Sequence, residues 1–225
     1  MTVRARAIPG RRIEAVAADL GQRDGFELDD VRSAPGWRAH VRGAVAELQR
    51  AGVSLRGARL LISADLPAGG GLASSAALEV ALTLALAAIS DAPAPHSIEL
   101  AAICSRIEHD WAGAHTGMLD QLASLLGQRG RALRIDFRSL DVVPVTLELG
   151  ACRLVTLDSG ERHSHADSGY NERRAECAQA CELLAVESLR EATLEMLESL
   201  PPPLDRRVRH VITENQRVED AVAAL

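Results

Sequence analysis

The chain contains no lysine: all 25 of its basic residues are arginine, set against 31 acidic residues for a formal net charge of −6. That absence excludes a Walker A phosphate loop, which depends on its lysine, and the strand lysine of protein kinases. No run of basic residues supplies an electrostatic footprint for a phosphodiester backbone, so nucleic acid is not an expected partner. Long apolar runs are missing as well. The longest, Ala76 to Ile89, is interrupted by Glu79 and Thr83 and falls short of the roughly 20 residues that span a bilayer; it predicts a buried helix and no membrane association. The first residues, Met1 to Arg6, carry charge and no apolar secretory segment, which predicts no export. The 4 cysteines are scattered and fit a reducing cytoplasm. They form no Cys-x-x-Cys element and the histidines no His-x-x-x-His, so zinc is not expected. Cys177 and Cys181 are expected to act as small buried apolar residues.

What is present is apolar material: 47% of the 225 residues are hydrophobic. This is enough to bury a core and predicts one domain, or one domain with part of another. Val3–Ile8 and Arg12–Ala18 read as strands separated by the turn residues Pro9-Gly10, a candidate hairpin. Ala39–Arg50 carries Val41, Ala44, Val45 and Leu48 at helical spacing and ends at Gly52. Arg59–Leu66 reads as a strand that runs through Pro67-Ala-Gly-Gly-Gly-Leu-Ala-Ser-Ser-Ala76 into the buried helix. Helices are expected over Ser97–Trp111, Met118–Leu126, Tyr170–Leu184 and Leu204–Ala224. Arg131–Phe137, Val142–Leu147 and Arg153–Leu157 read as strands, and Pro201-Pro-Pro203 breaks helices. This mixed order predicts an α+β or α/β layered domain.

Two constellations carry chemistry. Gly69-Gly70-Gly71, followed by Ser74 and Ser75 at a helix start, offers unhindered backbone N–H groups and the positive end of a helix dipole to an anion such as phosphate. A tight strand-to-helix turn with serine N-caps is the competing reading. A dinucleotide fingerprint fits poorly, because Ser74 stands where the third glycine belongs and no acid follows about 20 residues on. The second constellation is Glu108 and Asp120, one near the end of a helix and one inside the next. A helical hairpin with a glycine-containing loop can bring both to one place; two solvated surface carboxylates are the bland alternative. His109 and His115, nearby, read as loop histidines rather than catalysts.

The string Pro67-x-x-x-Gly71-Leu72-x-Ser74-Ser75-Ala76 resembles the central motif of GHMP kinases. Glu108-His-Asp-Trp-Ala-Gly113 followed by Gly117-Met-Leu-Asp120-Gln121 resembles a segment of galactokinases within that superfamily. So do Asp158-Ser-Gly-Glu-Arg162-His163-Ser164 and Gly169-Tyr170-Asn-Glu-Arg173-Arg174-Ala-Glu-Cys177. The resemblance runs from about Val3 to Leu225. It implies an α+β GHMP-kinase fold: residues 1–158 as an ATP-binding domain with a ribosomal-protein-S5-domain-2-like layer, and 159–225 as the start of a ferredoxin-like C-terminal domain. It implies that Pro67, Gly69, Gly70, Gly71, Leu72, Ala73, Ser74, Ser75 and Ala76 wrap the phosphates of ATP, and that Ser75 and Glu108 hold Mg²⁺. Asp120 is then the catalytic carboxylate that takes the proton of the anomeric hydroxyl of galactose, and Gly117 lets the backbone approach the sugar. Tyr170, the sole tyrosine, contacts a sugar hydroxyl. The implied partners are galactose and ATP, acting on a cytoplasmic monomer.

Residue types agree with that chemistry. Phosphoryl transfer is mostly positioning and charge neutralisation, and an aspartate with an ordinary pKa of about 4 is ionised at neutral pH. Two motifs of the family are not in the sequence: an N-terminal stretch with an arginine and a Glu-His-x-Asp-Tyr string, and a C-terminal glycine-rich motif. The resemblance therefore implies a piece of a longer protein. A non-catalytic sugar and ATP sensor is one alternative. A kinase of mevalonate or homoserine is another, with Asp120-Gln121 and the Tyr170, Arg173, Arg174 set against it.

Overall fold

The computed structural model describes residues 1–66, 71–90, 93, 95–157, 160 and 169–225. The chain divides into two compact units, Met1–Gly127 with Thr156–Ser164, and Gln128–Val155 with His165–Leu225.

The first unit is built on four strands, β1 (Thr2–Ala7), β2 (Arg12–Ala17), β3 (Gln22–Glu27) and β4 (Ala58–Ser63), in the order β1-β4-β2-β3. β4 is antiparallel to β1 and parallel to β2, while β2 and β3 form the antiparallel hairpin. The hairpin expected between β1 and β2 is thus not formed. The Pro9-Gly10 turn spans the width of an inserted strand instead, about twice the 4.8 Å strand spacing. Ile8 N–H donates to the Gly57 carbonyl (2.9 Å) and Gly57 N–H donates to the Gly10 carbonyl (3.1 Å). A side chain at Gly57 would meet the Gly10 oxygen at 2.7 Å, so a glycine is what lets β4 enter. β3 was not legible because its sequence, Gln-Arg-Asp-Gly-Phe-Glu, has a single buried apolar position, Phe26.

Parallel neighbours need a crossover, usually helical; here β3 and helix α1 (Trp37–Arg50) carry the chain from β2 to β4. Alternation sets the inner sheet face. Ile13, Ala15 and Ala17 of β2 and Ala58, Leu60 and Ile62 of β4 are buried, and Leu61 between them is exposed. Val41, Ala44, Val45 and Leu48 of α1 pack with these, as do Leu78, Leu82 and Leu86 of α2 (Ser74–Ile89). α2 has no polar stripe; Leu84 and Ala88 are its exposed residues after the first turn, and its remaining positions are buried or partly buried. Its other side meets Leu100 and Cys104 of α3 (Ser97–Arg106) through Val80.

α3 does not continue to Trp111 as a regular helix. Over Ile107–Trp111 it widens, with Ala112 N–H donating to the Ile107 carbonyl five residues back (3.2 Å). Single-turn widenings of this kind re-aim side chains and recur at functional sites. Helix α4 (Leu119–Leu126) follows after a short loop.

The second unit holds the hairpin β5 (Arg131–Asp136) and β6 (Asp141–Thr146), then α5 (Tyr170–Leu184) and α6 (Leu204–Ala224). Ala180, Leu189, Leu197, Leu200, Leu204 and Val208 form its core, with Cys177 and Cys181 partly buried against it. Both thiols are free, as small apolar residues would be. The expected strand at Arg153–Leu157 is not formed: these residues lie in no regular element, and Leu154, Val155 and Leu157 are exposed. A strand needs a hydrogen-bonding partner, and none of the described residues supplies one. Among the described residues no helix is long and apolar enough to cross a membrane.

The widened turn packs on α1 where α1 has no side chain. A Cβ added at Gly43 would fall 2.8 Å from both Ile107 Cγ2 and Trp111 Cγ. Gly43→Ala should therefore lower stability by about 1–3 kcal/mol through overpacking, despite the roughly 1 kcal/mol that alanine gains over glycine in a helix. Urea unfolding measures this, and a variant as stable as the parent would contradict the close approach.

Candidate active site

The strand-to-helix passage ends in two left-handed residues, Gly71 (φ 72°) and Ala73 (φ 52°). Left-handed backbone is unfavourable for alanine, so Ala73 marks a locally strained entry into α2. Pro67, Gly69 and Gly70 lie outside the described residues. Leu72 is exposed, Ala73 is the N-cap without a side-chain cap bond, and Ser74, Ser75 and Ala76 form the first turn of α2. Neither serine caps the helix, which removes the competing reading of the loop as a serine-capped turn. Among the described residues no side chain caps the start of α2, and a helix N-terminus is the geometry that receives anions.

Ser75 instead turns inward. Its hydroxyl donates to Glu108 Oε1 at 2.8 Å. Glu108 sits on the widened turn and is 3% exposed. Its other oxygen, Oε2, accepts from Thr116 Oγ1 (2.5 Å) and Gln121 Nε2 (2.9 Å). A carboxylate withdrawn from water needs such donors to offset its desolvation. Here they come from α2, from the loop and from α4, and Oε1 keeps the greater free acceptor capacity.

A second carboxylate lies behind the first. Glu79, in the middle of α2, is fully buried. Its Oε1 meets His40 Nδ1 of α1 at 2.9 Å and its Oε2 accepts from Gln121 Nε2 at 3.3 Å. Burial pushes the Glu79 carboxyl above its ordinary value and the nearby Glu108 charge adds to this, while His40 and Gln121 pull it back. Glu79, His40 and Thr116 were not singled out as site residues in the sequence, and Gln121 only as the neighbour of Asp120 in the family motif. The available signal was Glu79 itself, a charge inside a run that otherwise reads as core.

Asp120 occupies the first turn of α4 beside Gln121 and is half-buried. The helix start that brings Gln121 to the carboxylates thus carries Asp120 at the same end. Gly117, in the loop before it, has open space where a Cβ would project. The rings of His109 and His115 meet edge to face, 3.9 Å between centroids. Tyr170 begins α5 in the second unit and is exposed. Arg162, His163 and Ser164 lie outside the described residues.

A cavity of about 470 Å³ opens against the start of α2, lined by Trp37, His40, Ile62, Ser74, Ser75 and Leu78. Trp37 is held in place by its Nε1–H, which donates to Gln22 Oε1 at 2.8 Å. Volume and largely apolar lining match a small-molecule site. The donor set beside it also fits a hard cation. Ser75 Oγ and Glu108 Oε1 are 2.8 Å apart, close to the roughly 2.9 Å between neighbouring ligands in an octahedron of 2.0–2.1 Å bonds.

The raised Glu79 pKa makes folding depend on pH. Below about 4.5, the ordinary value, the carboxyl is protonated in both folded and unfolded chains. As pH rises from there through the higher folded-state pKa, the unfolded chain releases its proton first and the stabilisation is lost. Glu79→Gln lacks this loss, so its thermal midpoint should rise relative to the parent as pH is raised from 4.5 to 8. A constant difference across that range would contradict the assignment.

Comparison with known proteins agrees with this layout. Residues 39–128 match the GHMP kinases N terminal domain. The galactokinase of Mycobacterium tuberculosis is 41% identical over 221 residues, covering 94% of this chain and 61% of the relative. That of Chloroflexus aggregans is 37% identical over 234 residues, covering 99% and 60%. The crystal structure of Lactococcus lactis galactokinase complexed with galactose superimposes with a TM-score of 0.86 at 28% identity, over 99% of this chain and 61% of that one. Methanococcus jannaschii mevalonate kinase, at 13% identity and a TM-score of 0.53, shares the fold. This chain thus spans about 60% of the length of the curated relatives it matches. Residues 39–128, which include α2 and the carboxylate-bearing turn, carry the GHMP kinases N terminal domain, and over the length they share, sequence and fold align the chain with galactokinases.

Proposed function

We propose that this chain carries the nucleotide and metal side of a galactokinase, which transfers the γ-phosphoryl group of ATP to the anomeric hydroxyl of galactose. The observation that carries the reading is the Ser75–Glu108 pair at the N-terminus of α2. It sets a hydroxyl and a carboxylate oxygen side by side at a helix N-terminus, which favours phosphate. On this reading residues 1–158 form the ATP-binding domain and 159–225 open the second.

The base of ATP occupies the cavity beside Trp37 and His40, and the phosphates lie along Gly71 to Ala76. Ser75 and Glu108 would hold Mg²⁺, a hard cation that takes oxygen ligands of this kind. The bound ion supplies neutralisation of the charge that spreads over the phosphates during transfer. Thr116 and Gln121 fix the far oxygen of Glu108, so that Oε1 is the one presented. Asp120 takes the proton of the anomeric hydroxyl as that oxygen bonds to the γ-phosphorus. The bond from phosphorus to the bridging oxygen breaks and its electrons leave with ADP. The open space at Gly117 gives the sugar close access to the backbone, and Tyr170 donates to a sugar hydroxyl.

The test is galactose-dependent ADP release by the chain within its complete protein. Asp120→Asn should lower kcat by about 10²–10⁴, the usual contribution of a positioned acid or base, with nucleotide affinity within about threefold of the parent. Turnover retained by Asp120→Asn contradicts the role of Asp120. Sugar binding without ADP release in the unaltered protein, measured by calorimetry, would mark a sensor instead of an enzyme.

A further inference from the structure

We infer that Glu79 is a positioning residue: through the Gln121 amide it holds the Glu108 carboxylate in the orientation that presents Oε1 beside Ser75. This rests on the reading of Ser75 and Glu108 as the metal side of the site.

The Gln121 side chain has one NH₂ group, and both of its protons are used. One goes to Glu108 Oε2 at 2.9 Å and the other to Glu79 Oε2 at 3.3 Å. Its oxygen, Oε1, is buried with no hydrogen-bond partner among the described residues. Leaving a buried acceptor unpaired is unfavourable, so something must favour this orientation of the amide over the reversed one. The two carboxylates do. Reversal would aim the amide oxygen at both Glu79 and Glu108, replacing two attractions by two repulsions.

Glu108, at the shorter distance, supplies one part of that preference, and Glu79 supplies the other. Glu79 is itself held from behind, since His40 Nδ1 lies 2.9 Å from its Oε1. Side-chain contacts therefore run in one line from His40 through Glu79 and Gln121 to Glu108, ending at the oxygen shared with Thr116. Glu79 does not itself line the cavity; it touches the lining residue His40 on one side and Gln121 on the other, and its influence on the Glu108 carboxylate passes through Gln121. A fully buried glutamate in the middle of an apolar helix lowers stability unless it is compensated. An acceptor that fixes an amide, which in turn fixes a metal-side carboxylate, is a use that an apolar residue at this position cannot provide.

Outer partners of metal ligands change metal affinity about 10- to 100-fold when removed. The experiment measures how much Mn²⁺ increases the affinity of the full chain for adenylyl imidodiphosphate at pH 8. Titrations with the metal are followed by water-proton relaxation and compared with titrations in EDTA. Glu79→Met matches the length of glutamate and removes the acceptor; it should lose about tenfold of the metal-dependent gain. Nucleotide affinity in EDTA should stay within about twofold. Glu79→Gln can offer its carbonyl to Gln121 and its amide to a neutral His40, and should recover the gain to within about threefold. A glutamate with a merely structural role would shift the thermal midpoint and leave the metal-dependent gain of the folded protein unmoved. That result for Glu79→Met overturns the proposal. If Glu79→Met does not fold, Gln121→Met tests the same link from its other end, and an unchanged gain there overturns it equally. An unaltered chain with no metal-dependent gain at all would instead overturn the reading of Ser75 and Glu108, and the positioning role with it.

Discussion

The carboxylate of Glu108 lies almost wholly out of water, and much of the first unit is arranged around that placement. A buried anion left without donors costs several kcal/mol, so the elements that supply its donors are tied to it and to one another. Ser75 ties the start of α2, Thr116 ties the loop, and Gln121 ties the start of α4. Glu108 reaches these donors because the helix before it widens at Ile107–Trp111. The widened turn sits there because Gly43 of α1 leaves room for Ile107 and Trp111. A missing side chain on one helix thus sets the position of a carboxylate on another.

α2 is where folding and chemistry meet. Its apolar positions pack against the sheet, α1 and α3. Its N-terminal turn faces the cavity, and Glu79 at its centre supports the residues that fix Glu108. Sites mounted on a rigid core element hold their geometry better than sites on loops. The arrangement has a thermodynamic cost, because burial of Glu79 close to the charge of Glu108 makes Glu79 harder to ionise. His40 and Gln121 offset part of it.

The sequence was informative where chemistry is local. Helices α2, α5 and α6, and the position of Glu108 and Asp120 on successive helical elements, follow from patterns within a few residues, and the structure places them so. Sheet order was not legible, because Pro9-Gly10 has the chemistry of a tight turn whether the strands it joins are neighbours or flank a third. What decides is Gly57, far along the chain, whose bare backbone fits between them. Glu79 and His40 were missed for a related reason. A glutamate within an apolar run and a histidine on an amphipathic helix carry no mark of pairing with each other at a separation of 39 residues. Their role exists only once α1 and α2 are packed. The widened turn left no trace in helical periodicity either, since it displaces the pattern by a single residue.

The central claim, that Ser75 and Glu108 form the cation side of a phosphoryl-transfer site, is tested most directly by a crystal structure of the complete protein with Mg²⁺ and a non-hydrolysable ATP analogue. The account predicts a cation about 2.0–2.1 Å from a Glu108 oxygen and from Ser75 Oγ. It also predicts that Thr116 and Gln121 still donate to the other oxygen of Glu108. A cation bound to the phosphates with Glu108 turned away from it, still hydrogen-bonded only to protein, would contradict the account.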